Sequence, residues 1–243
     1  MTPEEFVQKV VFSYEQGEGV FMDKVNAEDH LPSNASALSK ALFLFYVIQL
    51  DYATRSQRLY ANARSLVEEN SRAFSPYYIS SLDNEELREL LDKLSPRYSN
   101  EAARRYKVNS LKLLEEYSGD PRIIFESYGQ AVKVLGRVKE FRGFGPKIGN
   151  FFVRAMVNTF GYEYDDVEEL LPPVDIHDVR IAYLLGFVNN AEMTGANVNR
   201  VKELWGSACK NAGESWLVFD RALWLLGSEG KPGSKDDVLN LIR

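Results

Sequence analysis

Two side chains stand out for the chemistry they could do. Lys147 closes the run Phe141-Arg142-Gly143-Phe144-Gly145-Pro146-Lys147, and Asp175 sits in Pro173-Val174-Asp175-Ile176-His177. A lysine amine, once neutral, is a nucleophile that can form an imine with a carbonyl-type carbon. An ionised carboxylate can stabilise positive charge developing on a reacting centre. Neither residue type is informative alone, since a lone lysine near a helix start is ordinarily solvated and a lone aspartate after prolines ordinarily caps a helix.

The elements that must hold them are legible. From Leu135 to Asn150 an amphipathic helix runs into a tight Gly143-x-Gly145 turn, and a second helix starts at once. Pro146 suits the first helical position, which makes Gly145 the expected N-cap and leaves backbone N–H groups without intrahelical partners. Such donors, with the positive end of the helix, can grip a phosphate, so Gly143, Phe144, Gly145 and Lys147 form a candidate contact to a nucleic-acid backbone. Lys147 then falls in the first helical turn, where the dipole disfavours its charged form. Around Asp175 the prolines give an entry, Asp175 an N-cap, and Asp178 the third helical position of a weak capping box. There the carboxylate is held ionised, so capping and charge stabilisation are compatible.

The rest of the chain sets the frame. Apolar spacing is helical almost throughout, as in Ala37 to Leu44 and Ala131 to Leu135, and alternating strand patterns are scarce. An all-α fold follows, with two helical subdomains and a cleft between them. The expected division is residues 1–36 as an N-terminal segment packing with the C-terminal subdomain, 37–160 carrying the helix–hairpin–helix, and 161–243 as an acidic crossing and a C-terminal subdomain carrying Asp175. The crossing, from Phe160 to Pro173, is acidic and ends in two prolines. Cys209 is the sole cysteine, which excludes an internal disulfide framework and a four-cysteine metal or iron–sulfur site. The two histidines, His30 and His177, make no metal-binding pattern. No apolar run approaches membrane-spanning length, and a monomeric protein of a reducing interior, cytoplasmic or nucleoid-associated, is expected. Net charge is −6, yet residues 101–160 hold eleven Lys/Arg against six Asp/Glu, so the remainder carries −11 and the middle is basic.

The hairpin with its lysine, followed by Val174-Asp175-Ile176-His177, resembles the helix–hairpin–helix DNA glycosylase superfamily. The resemblance runs from about Ala37 to Gly186 and more faintly into Phe219 to Gly227. It implies base-excision repair of double-stranded DNA carrying a damaged base, with no metal or organic cofactor. A lysine at position 147 resembles the bifunctional members, which release the base and then cleave the abasic site, and implies Lys147 as nucleophile and Asp175 as stabiliser. The missing cysteine cluster and the spacing of 28 positions from Lys147 to Asp175 separate the chain from the endonuclease III-like branch. Oxidised purines such as 8-oxoguanine become the expected substrate. Phe151, one turn after Lys147, is a candidate wall of a base pocket, with core packing as the other reading. Gln49 is a candidate to fill the gap left by a flipped base. Trp205, Trp216 and Trp224 are candidates for the far side of the pocket, or for core. Two other functions stay open: a monofunctional glycosylase using Asp175 and water, and a non-catalytic DNA-binding module.

Overall fold

The computed structural model describes residues 1–22, 26–51 and 54–242. Among these the chain forms thirteen α-helices and no strand. In chain order they are α1 (Pro3–Gln16), α2 (Ala37–Ile48), α3 (Ser56–Glu69), α4 (Pro76–Ser81), α5 (Asn84–Asp92), α6 (Ser99–Tyr117), α7 (Arg122–Glu126), α8 (Ala131–Val138), α9 (Pro146–Phe160), α10 (Ile176–Leu184), α11 (Gly195–Ala212), α12 (Trp216–Ser228) and α13 (Lys235–Leu241). The chain divides into two compact units, one of Met1–Lys24 with Glu168–Arg243 and one of Val25–Val167.

In the first unit α1 is a well-punctuated helix. Thr2 and Glu5 form a reciprocal capping box, Pro3 occupies the first turn, and Gly17 ends the helix in the left-handed region. Its apolar stripe, Phe6, Val7, Val10, Val11 and Tyr14, is buried against α11 and α12. There Phe6 meets Trp205 at 5.5 Å and Phe219 at 6.4 Å between ring centroids. Burying an aromatic side chain of this size contributes roughly 1.5–3 kcal/mol, which explains why a distant N-terminal helix joins the C-terminal elements.

In the second unit α2 is apolar on all sides, and residues Ala41 to Ile48 are all buried. A helix of that composition has to sit in a core. Phe45 is its hub, with Phe141 and Phe152 edge-on to it at 5.1 and 5.7 Å and Phe144 stacked on it at 5.3 Å. The packing fastens α2 to α9 and to the turn that precedes α9.

The division falls at 24/25 and 167/168, where sequence reading put 36/37 and 160/161. Contacts explain both shifts. The 3-10 turn Ala27–His30 packs on α2, α3 and α9. On the other side, the acidic crossing stays with α7 and α8: Asp166 accepts from the N–H groups of Ala131 and Val132 at 2.6 and 3.1 Å, and Tyr164 donates to Phe125 O at 2.7 Å. Asp166 thus caps α8 from thirty-odd residues downstream, a role its neighbours in sequence do not announce. No helix among the described residues is long and apolar enough to cross a membrane.

Candidate functional site

The turn between α8 and α9 is held from outside. Asn109, buried on α6, donates from Nδ2 to Arg142 O at 2.9 Å and accepts on Oδ1 from Arg142 N–H at 2.9 Å. The same Nδ2 donates to Gln49 Oε1 at 3.0 Å. Two turns earlier on α6, Glu101 accepts from Arg105 Nε at 3.3 Å and from Arg142 Nε at 3.0 Å. Gly143 follows with φ 90°, and a Cβ there would meet Arg105 Cδ at 3.0 Å. The backbone conformation demands glycine at this position, and any side chain would in addition push the arginine lying against it aside. Sequence reading missed Asn109, because a single asparagine on an amphipathic helix carries no local sign of a partner thirty-three residues on.

Gly145 is the N-cap of α9, Pro146 its first residue, and Lys147 lies in its first turn, half-buried. The Gly145 carbonyl accepts from Gly149 N–H at 2.7 Å, and no side chain caps the helix head. A helix start of this kind, next to Gly143 and Gly145, has the donors to hold an anion. Phe144 departs from the expectation. Its amide already donates to Phe141 O at 3.2 Å and its ring is in the core, so it offers a phosphate neither.

Gln49 is also reassigned. It is fully buried, its Nε2 donates to Phe45 O at 3.1 Å, and its own carbonyl accepts from Arg105 at 3.4 Å. A side chain that ties the end of α2 to α6 is not available to enter a duplex. Phe151 is half-buried, one turn along α9 from Lys147, with the Arg154 guanidinium 4.6 Å from its ring centroid. Arg154 in turn pairs with Glu28 at 3.5 Å, both nearly inaccessible. Beside them Asp51 accepts from Ser56 Oγ at 2.7 Å and from the Tyr60 hydroxyl. Burial, with the Asp51 and Glu28 charges adding, pushes the Tyr60 phenol well above its ordinary pKa, so it serves as a donor.

No protein-family model and no curated protein matches this chain.

Asp175 belongs to the other unit and is the N-cap of α10. Its Oδ1 accepts from the N–H of His177 at 2.7 Å and of Asp178 at 3.4 Å, while Asp178 reaches back to the Asp175 amide to complete the box. The head of α10 is pinned to α12. Arg180 donates to Gly227 O at 2.9 Å, and a Cβ at Gly227 would come within 2.5 Å of the His177 Cβ. Only glycine lets the two helices approach so closely. Trp205 and Trp216 are fully buried core residues of this unit, and Trp224 is half-buried. That removes both from any pocket lining: the Trp205 ring packs on Phe6 and Phe219, and Trp216 is buried in the core. Among the described residues no group of three or more His, Cys, Asp or Glu side chains is placed to hold a metal ion.

Proposed function

We propose that the chain is a base-excision DNA N-glycosylase with abasic-site lyase activity, acting on an oxidised purine of the 8-oxoguanine type. The observation that carries this reading is that each of the two chemically suggestive residues begins a helix. Lys147 is in the uncapped first turn of α9, directly after the glycine turn, and Asp175 is the capping carboxylate of α10. The positive end of a helix favours an uncharged amine and an ionised carboxylate, the states the chemistry needs.

In this mechanism the target nucleotide is extruded from the duplex, because C1′ is shielded in stacked DNA. The neutral Nζ of Lys147 forms a bond to C1′ as the glycosidic bond breaks, and the base leaves with the electron pair and takes up a proton. Asp175 stabilises the positive charge that develops on the sugar. Ring opening then gives an imine between Lys147 and C1′, loss of a C2′ proton follows, and the 3′ phosphate departs by β-elimination. Phe151 is the candidate wall against which the extruded base stacks.

The test is borohydride reduction of a reaction containing duplex oligonucleotide with 8-oxoguanine. A covalent adduct in the native protein that is lost in Lys147→Ala supports the reading; an undiminished adduct in that variant removes Lys147 as nucleophile. Base release without strand cleavage points instead to Asp175 and water. Binding with no base release leaves a DNA-binding module.

A further inference from the structure

Between α5 and α6 runs an open groove of about 340 Å³, within one unit, and none of the glycine turn's clamping residues lines it. It is lined by Asn84, Arg88, Asn100, Ala103, Arg104, Lys107 and Val108. The lining holds three cations and two carboxamides but no carboxylate, in a chain whose net charge is −6. Both walls carry the same pair: asparagine followed one helical turn later by arginine, Asn84 and Arg88 on α5, Asn100 and Arg104 on α6. Residues four apart share a helix face and stand roughly 6 Å apart along the axis, so each wall presents a short row of donors.

Lys107 is already committed, donating to Ser80 O at 3.0 Å and to Leu82 O, which fixes the end of α4 to α6 and adds positive charge to the groove lining. Arg88 and Arg104 have no hydrogen-bond or ion-pair partner among the described residues, and both are exposed. On α5 itself Asp83 and Glu86 accept backbone amides in the capping box, while Glu85 and Glu89, beside Arg88 in sequence, are exposed and outside the groove lining. Two unpaired guanidinium forks facing one trough repel each other until an anion comes between them, and their planar donors match phosphate oxygens in pairs.

We infer that this groove is a second DNA contact, in which Arg88 and Arg104 hold phosphodiesters of a strand. A row of donors on each wall suits a linear chain of phosphates better than one compact anion. The inference rests on DNA being the ligand, as in the reading above, but needs only binding and not base release.

The experiment is a salt titration of binding to an undamaged duplex, comparing the native protein with Arg88→Gln/Arg104→Gln and with a control, Lys9→Gln/Arg200→Gln. The control removes the same charge from exposed positions on α1 and α11. Each phosphate contact contributes about one unit to the slope of log K against log salt, so the groove variant should lower the slope by about 2. The control should leave it in place. An unchanged slope in the groove variant, or an equal fall in the control, overturns the inference. Circular dichroism verifies that both variants fold, as is expected for exposed side chains. Base release from a damaged duplex, scored separately, decides the glycosylase reading, so either claim can fail while the other stands.

Discussion

The carboxamide of Asn109 grips the peptide of Arg142 from both sides, donating to its carbonyl and accepting from its amide, each at 2.9 Å. One buried side chain thereby takes the place that a neighbouring backbone would fill in a sheet, and it fixes the turn that delivers Lys147. Replacing Asn109 with alanine leaves that peptide and Gln49 Oε1 without partners. We expect a loss of about 2–3 kcal/mol, read as a fall in thermal midpoint. Asn109→Asp should be the harsher change at neutral pH, because it sets a carboxylate against two oxygens, and should recover on acidification as the carboxyl regains a proton. An Asn109→Ala protein as stable as the native one would mean the grip is incidental.

Glu101 makes the same turn sensitive to pH. Hydrogen bonding from Arg142, more than the small opposing effect of burial, holds its carboxyl below the ordinary value, with Arg105 assisting. A folded pKa below the unfolded one means that the stabilisation is complete above the unfolded value, about 4.3. It is lost as pH falls through the folded value. The thermal midpoint of the native protein should therefore exceed that of Glu101→Gln at neutral pH, by about 2–4 °C at most for so exposed a pair. The gap should close in acid. A gap that widens in acid would contradict the assignment.

Glu28 and Arg154 provide a separate handle on α9. Removing one partner of a pair this buried strands the other charge, and either Glu28→Gln or Arg154→Met should destabilise by about 3–5 kcal/mol. The double variant should lose much less than the sum of the two, because no stranded charge remains. Denaturant unfolding of all four proteins measures the coupling, and simple additivity would show that the pair is not energetically linked.

Capping and chemistry can be separated at Asp175. Asparagine caps helices nearly as well as aspartate, whereas alanine does not and loses about 1 kcal/mol. Asp175→Asn should keep its thermal midpoint near the native one, and Asp175→Ala should fall. Under the proposed mechanism both should release base about 100-fold more slowly or worse, since a fixed charge at the reacting centre is gone. An Asp175→Asn protein that released base at the native rate would reduce Asp175 to a helix cap.

Local rules made much of this protein readable from its sequence. The helical periodicity, the Asp175–Asp178 box, Gly145 as a cap and Pro146 as a first residue all depend on residues within a turn of one another, and all are found in place. What needed the tertiary structure was every decision made at long range. Whether Gln49 faces solvent or core depends on Asn109, sixty residues away, and it is buried. Phe144 is drawn inward by Phe45, and Asp166 caps a helix that begins thirty-five residues earlier. The same holds for charge: an acidic composition says nothing of where Arg88 and Arg104 line one groove, since α5 and α6 must first pack side by side to make it. Caps and periodicity are encoded in neighbouring residues, while burial and pairing belong to whichever distant surfaces the packed core brings together.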